Sequence, residues 1–174
     1  MKRMISYVLI CFAFFSVNLA FGQDSFSKFE KNKNINNVVV NKKMFEMMAN
    51  VKVEATNAEE KRYFDLIKKL TSLRVFNTKS TEDKKAMTST VQEYIQAKGL
   101  KELVNKKDND AKITIYIDQA GTNQNISELV MLNDSVDPSK ETVLVLITGS
   151  FSLSELSSLT KKMNLPLGNT LDKL

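Results

Sequence analysis

The sequence predicts an α+β domain, a two-layer sandwich in which helices pack on one face of a mostly antiparallel sheet. Three observations support this class. The stretch from Ala111 to Phe151 contains three consecutive strand patterns joined by short polar connections, which is typical of a meander. Residues 57–72 and 81–99, which precede it, carry apolar side chains at helical spacing. A third helical pattern follows the meander, after Phe151.

The strands of the meander are predicted to differ in whether one face or both faces are buried. In residues 113–118 isoleucine alternates with threonine, tyrosine and aspartate, which predicts a half-buried strand. Residues 126–132 form the second strand pattern. Residues 143–147 are apolar at every position, and this predicts a central strand that is covered on both faces.

Capping signals place the helices. Thr56 and Asn57 stand three residues before Glu59 and Glu60 at the spacing of a capping box, and the apolar pattern extends that helix to about Ser72. A brief strand, residues 73–76, follows. The second helix begins near Thr81 and ends at Gly99, which suits a left-handed cap. The third begins at a capping box formed by Ser152 and Glu155.

Shorter elements complete the expected domain. Residues 38–40 are a strand candidate, and residues 42–49 suit a short helix whose methionines fill gaps in a core. Residues 102–106 are compatible with a helix end or a strand. The turn composition of residues 108–110 favours the strand, because it leads directly into the first strand of the meander.

The N-terminus has the pattern of a secretory signal peptide. Lys2 and Arg3 precede an apolar run over residues 4–17, and Ala20-Phe-Gly22 supplies the small residues of a cleavage site. The run is shorter than the roughly 20 residues that a membrane anchor needs. Ile10 precedes the single cysteine, where a lipoprotein would have a small residue. We therefore expect an exported, periplasmic or secreted protein that is not a lipoprotein.

The predicted domain organisation follows from this cleavage. Residues 1–22 are the signal peptide, and residues 23–37 form a polar N-terminal arm, either a tether or a loosely docked segment. Residues 38–163 form a single α+β domain, a length that can bury one core. Residues 164–174 contain Pro166 and Gly168 and form a frayed tail.

Composition excludes several function classes. The chain has no histidine, and its one cysteine, Cys11, lies in the signal peptide. We therefore expect no metal site of the usual zinc or copper type, no disulfide, and no nucleophile–histidine system. No glycine-rich phosphate loop is present, so no cofactor is predicted. The net charge is +5, and the lysines are scattered, so we expect no nucleic-acid partner. We also expect no transmembrane segment in the mature chain.

Carboxylates are the main remaining candidates for chemistry. Asp118, Glu128 and Asp134 lie on or beside the meander strands, and a pair of carboxylates about 5–10 Å apart is what glycoside hydrolysis uses. The alternative is that they are solvated residues that protect strand ends. Convergence of these side chains in one cleft, with a raised pKa, would distinguish the two interpretations.

Two further residues are candidates for binding or modification. Arg74 lies inside an apolar strand, where it either binds an anionic ligand or extends to solvent from a sheet edge. Asp134-Ser-Val136 resembles the acceptor motif for O-glycosylation of exported Bacteroidota proteins, which makes Ser135 the candidate acceptor. Asn125-Ile-Ser127 fits the N-glycosylation sequon.

Four segments carry a resemblance to a known family. They are Val38-Val-Val-Asn-Lys-Lys-Met-Phe45, Leu70-Thr-Ser-Leu-Arg-Val-Phe76, Ile126-Ser-Glu-Leu-Val-Met-Leu132 and Val145-Leu-Ile-Thr-Gly-Ser-Phe-Ser-Leu153. In this order and spacing the chain resembles, from about Phe26 to Met163, the exported Bacteroidota family described as domain of unknown function 4252. The resemblance implies an envelope location and supplies no catalytic residue. Genes of the family often lie near extracytoplasmic-function sigma factors, which implies a link to envelope response.

Three functions are compatible with these observations. The leading hypothesis is a non-enzymatic binding module whose partner is an unknown envelope or regulatory protein. The first alternative is a hydrolase of envelope glycans that uses the carboxylates above. The second is a small-molecule carrier, which would need an apolar cavity between sheet and helices.

Overall fold

The computed structural model describes residues 24–50, 57–107, 111–135 and 137–162. The predicted signal peptide, the turn at residues 108–110 and the C-terminal tail lie outside these ranges. The described residues form six strands: β1 (Asn36–Asn41), β2 (Leu70–Thr78), β3 (Lys101–Lys107), β4 (Ala111–Ile117), β5 (Ile126–Ser135) and β6 (Thr142–Phe151). A 3-10 turn, Asp24–Phe26, precedes five α-helices: α1 (Ser27–Glu30), α2 (Lys42–Asn50), α3 (Ala58–Ile67), α4 (Thr81–Lys98) and α5 (Leu153–Lys162).

The strands form one sheet in the order β1-β2-β6-β5-β4-β3, and every neighbouring pair is antiparallel. The predicted meander is confirmed, because β4, β5 and β6 pair in sequence order. Strand β6 lies between β2 and β5, so its predicted central position is confirmed. The choice of a strand for residues 102–106 is also confirmed. The edges of the sheet are β1 and β3.

One face of the sheet carries the larger core. Leu73, Leu129, Val145 and Ile147 from three central strands are buried there. Phe45 of α2 and apolar residues of α3 and α5 pack on the same cluster; the helical members are Phe45, Leu66, Ile67, Leu153, Leu156 and Leu159. Burial of this set is the main stabilising contribution on this face.

The opposite face carries a second core, formed chiefly by α4. Met87, Val91 and Tyr94 pack against Val130 and Leu144 of the sheet. The predicted α+β class and antiparallel sheet are confirmed, but the prediction that helices lie on one face is wrong. The reason is that the central strands are apolar on both sides, so that each face must be covered.

The N-terminal arm is part of this second core. Phe26, Phe29 and Ile35, the only sizeable apolar residues of the arm, are buried. The Phe29 ring lies edge-on to Phe76 at 5.7 Å between ring centroids, and Asn32 donates a hydrogen bond to Asp83 of α4 at 2.7 Å. Of the two alternatives that the polar composition left open, a tether and a loosely docked segment, the structure therefore shows a docked arm.

The helix termini follow the predicted caps, with one difference. Asn57 accepts a hydrogen bond from the Glu60 backbone N–H, and Gly99 ends α4 with φ +63°. The backbone N–H of Ser152 likewise donates to the Glu155 carboxylate. Helix α3, however, ends at Ile67 rather than near Ser72, because residues 70–78 pair with β1 and β6. Within the described ranges, no helix has the length and apolar composition that crossing a bilayer requires.

Candidate functional site

A cleft of about 290 Å³ opens on the face of the sheet that carries the second core. We call it the Arg74 cleft. Six elements contribute its polar and charged side chains, and the arm contributes Phe26. The lining residues are Phe26, Val39, Asn41, Lys42, Thr71, Ser72, Arg74, Tyr94, Glu128, Leu146 and Thr148.

Strand register explains why polar residues meet in this cleft. Asn41, Ser72, Thr148 and Glu128 are successive partners across β1, β2, β6 and β5. Residues that are directly opposite in paired strands point to the same face of a sheet. The sequence therefore builds a polar row across four strands, next to a second row in which Arg74 lies between Val39 and Leu146.

Arg74 is the less exposed of the two cations that line the cleft, Arg74 and Lys42. Its side chain is 21% exposed, and its Nη1 lies 3.6 Å from Glu30 Oε1. This distance exceeds the 2.7–2.9 Å that is typical of a close charge-assisted hydrogen bond, so the ion pair is a weak one. Arg74 stands on the second strand of the sheet, with β1 beyond it. The structure thus gives it a concave, partly solvated setting and not the sheet edge that was the alternative.

Tyr94 and Glu128 form a hydrogen-bonded pair on the opposite wall. The Tyr94 hydroxyl donates to Glu128 Oε1, and the Tyr94 ring packs edge-on against Phe26 at 4.9 Å. Burial, followed by the hydrogen bond to Glu128, raises the pKa of Tyr94 well above its usual range. Tyr94 therefore stays a proton donor at any physiological pH. Its helical position predicts a core residue, and no local pattern marks its hydroxyl as part of a site.

Asp118 stabilises the backbone beside Glu128 of the cleft. Its Oδ1 accepts hydrogen bonds from the backbone N–H groups of Ser127 at 2.8 Å and Glu128 at 3.1 Å. Partial burial acts to raise the pKa of Asp118, but these hydrogen bonds outweigh it, and the pKa is lowered. The carboxylate therefore stays charged and holds the β4–β5 connection against the start of β5.

Asp134 lies at the other end of β5, roughly 20 Å along the strand from Glu128. It lines a separate cavity of about 600 Å³ between β5 and α4, together with Lys84 and Ser135. Of the three candidate carboxylates, the structure brings only Glu128 into the Arg74 cleft. Among the described residues, no three Asp, Glu, His or Cys side chains are grouped as metal ligands would be.

Ser135, the candidate glycosylation acceptor, is only 8% exposed. Its Oγ donates to the Asp137 carbonyl at 3.2 Å, and its backbone N–H donates to Thr142 Oγ1 at 3.2 Å. The hydroxyl thus lies within the β5–β6 turn. Attachment of a glycan there would require the turn to open.

Replacing Asp118 by asparagine is expected to remove a pH-dependent part of the stability. Because the pKa of Asp118 is lowered in the folded state, its charge stabilises the fold above the unfolded-state pKa, and this contribution is lost as the pH falls through the folded-state pKa. After solvent screening is allowed for, we expect a cost of about 1 kcal/mol at neutral pH. Urea unfolding should show the cost of Asp118→Asn shrinking from about pH 5 to about pH 3.

The exposed Asp65, whose carboxylate lies 3.6 Å from Lys68 Nζ just beyond the end of α3, provides the control for this measurement. Asp65→Asn is expected to change the free energy of unfolding by less than about 0.5 kcal/mol at either pH. An Asp118→Asn cost that does not depend on pH would contradict the proposed role of the charge.

Comparison with known proteins places the domain in a family. A family model described as "Domain of unknown function (DUF4252)" matches residues 29–159. The chain belongs to this family. The match confirms the resemblance drawn from the four segments above, and it includes Arg74, Tyr94 and Glu128. No curated protein and no solved structure matches the chain.

The DUF4252 match also bears on the arm. It begins at Phe29, inside α1, and so includes part of the segment that docks on α4 and β2. The family domain therefore starts before β1, which agrees with the burial of Phe29 and Ile35. The family description assigns no activity.

Proposed function

We propose that this DUF4252 chain is an exported, non-enzymatic binding module that acts in the periplasm. It uses the Arg74 cleft to hold an acidic group of an envelope or regulatory protein, within a response to the state of the envelope. The observation that carries the proposal is a partly exposed arginine in a cleft lined by hydroxyl and amide side chains. The signal-peptide pattern of residues 1–22 and the family resemblance support the location.

The chemistry of the cleft suits a carboxylate or phosphate group. The planar guanidinium of Arg74 can donate two parallel hydrogen bonds to such a group, and Lys42 at the rim adds a second positive charge. Ser72 offers a hydroxyl donor in the same cross-strand row as Thr148. The Thr148 hydroxyl is hydrogen-bonded to Thr71 Oγ1 at 2.8 Å and can donate to a ligand when Thr71 is the donor of that pair. Glu128 can accept a hydrogen bond from a donor on the same ligand, so the cleft favours a group with mixed polarity.

The size of the cleft indicates what the ligand belongs to. Pockets for whole small molecules usually measure about 300–1,000 Å³, and the Arg74 cleft, at about 290 Å³, lies at the lower end of that range. A cleft of this size accommodates one side chain or one chain end of a larger partner. The cavity of about 600 Å³ between β5 and α4 is lined mainly by polar side chains and gives no support to a carrier, which would need an apolar cavity. A paired-carboxylate hydrolase has no support either, because Asp134 lies far from Glu128 and the Asp118 carboxylate, whose pKa is lowered, is bound by backbone N–H groups.

Affinity purification of the tagged chain from crosslinked cells of its own host tests the proposal. An envelope protein should be recovered reproducibly with the wild type, and its recovery should fall by about tenfold with Arg74→Met, because the acidic group loses its partner. The recovered chain should begin at Gln23. Lys112→Met, which removes an exposed lysine on β4, is the matched control and should leave recovery within about twofold.

Equal recovery with both variants would contradict the cleft as the binding site. Because Arg74 is partly buried, thermal unfolding of Arg74→Met must show that the variant is folded. Loss of recovery can then be assigned to loss of binding and not to unfolding. A chain that keeps Met1 and sediments with membranes would contradict export by signal-peptide cleavage and would favour the anchor alternative.

A further inference from the structure

The two edges of the sheet differ in how they are protected. Strand β3 carries four charged residues in seven: Lys101, Glu102, Lys106 and Lys107. Strand β1 reads Asn-Asn-Val-Val-Val-Asn and carries none. Charged residues on an edge strand are a common means of preventing unwanted strand pairing. The β3 edge has this protection, and the β1 edge does not.

Strand β1 is also accessible. Asn36 to Asn41 pair with β2 on one side, and within the described part of the chain no strand lies on the other side. Val38 is 51% exposed, which is unusual for a valine in a sheet. The outer row of backbone N–H and C=O groups of β1 is a template to which an extended chain can add as a further strand.

The charges around β1 indicate the kind of chain it would accept. Lys31 and Lys33 precede the strand, Lys42 and Lys43 follow it, and all four are exposed. In the ranges described, the only ion pair these lysines form is the 3.9 Å contact between Lys42 and Glu46. An uncharged strand therefore lies between two basic ends. A second copy paired antiparallel through β1 would bring basic ends together, which like-charge repulsion disfavours.

We propose that the outer edge of β1 binds an extended peptide segment of a partner protein, in which a short run of β-forming residues is flanked by acidic residues. Backbone hydrogen bonds to β1 provide the affinity, and the acidic flanks pair with the lysines at each end. This site goes beyond the function proposed above, because it uses the backbone of β1 and does not require Arg74.

A synthetic peptide, Asp-Asp-Val-Thr-Val-Thr-Val-Asp-Asp, is the probe, and fluorescence anisotropy with the mature chain is the measurement. Replacing its aspartates by lysines should weaken binding by about tenfold or more. In two further peptides, alternate amides are N-methylated, so that the methyl groups of one peptide lie on one edge of the added strand and those of the other peptide lie on the opposite edge. Only one of these two peptides should lose binding, because in an added strand only alternate amides face β1. Equal effects of the two N-methylation patterns, or no binding of the probe, would overturn the proposal.

Protein variants locate the site. Val38→Asp should weaken binding by about tenfold, whereas Asn105→Asp, the same charge change on the exposed face of β3, should leave it within about twofold. Lys112→Met should also leave it within about twofold. Recovery of the envelope protein tests the Arg74 cleft and peptide binding tests the β1 edge, so the two proposals can fail separately. If the chain alone sediments as a dimer that Val38→Asp dissociates, and the peptide does not bind, a second copy is the occupant and the proposal is wrong.

Discussion

Replacing Gly149 by alanine is expected to destabilise the domain by about 3 kcal/mol. Gly149 has φ +153°, and a Cβ atom there would lie 2.5 Å from the Lys69 carbonyl oxygen and 2.8 Å from Leu70 Cα. Both are backbone atoms, so relief requires the start of β2 to move. That movement would disturb the pairing of Leu70 with Gly149 and the register shift beside it.

Gly99 provides the matched control for this variant. It has φ +63°, and a Cβ atom there would meet nothing within 4 Å. Gly99→Ala should therefore cost only the penalty of the left-handed conformation, about 1 kcal/mol. Urea unfolding of both variants gives the comparison. Similar costs at the two positions would mean that the close approach of β2 to β6 is not the dominant constraint.

Replacing Phe29 by alanine is expected to lower the free energy of unfolding by about 3 kcal/mol. The side chain is 3% exposed and contacts the ring of Phe76 edge-on. Its loss would leave a cavity between α1 and the sheet, and hydrogen exchange should then show faster exchange in the arm. Lys31→Ala, at an exposed neighbouring position, should change stability by less than about 0.5 kcal/mol.

The opposite result is equally informative. If the arm is only loosely attached, Phe29→Ala would lower the free energy of unfolding by less than about 0.5 kcal/mol, because the contacts of the arm would contribute little in the native state. Such a value, with unchanged exchange, would contradict the docked arm and would favour the alternative that the arm is a tether.

Elements with strong local signals could be predicted from the sequence. The alternation in β4 and the continuous apolar run in β6 predict the meander and its central strand, and Gly99 marks the end of α4. These features depend on short-range rules of periodicity and capping. They required no knowledge of which distant segments meet.

Features that depend on long-range contacts could not be predicted. Leu70 fits the helical spacing of α3, yet pairing with Gly149 of β6 draws it into β2. Phe29 stands in a polar segment, and only its distant contact with Phe76 shows that it is buried. Arg74 and Glu128 were separate candidates for different chemistry, whereas strand register places them in one cleft with Tyr94.

The strand order has a consequence for the time course of folding. Strand β6 joins β2 to β5, yet among the six strands that the structure describes it comes last in sequence, ending at Phe151. Until it is available, β1–β2 and β3–β4–β5 are two separate fragments, each with an open edge. Pairing across such sequence separations slows folding and exposes intermediates to aggregation. The edges of β2 and β5 that receive β6 therefore stay open until residues 142–151 have been synthesised.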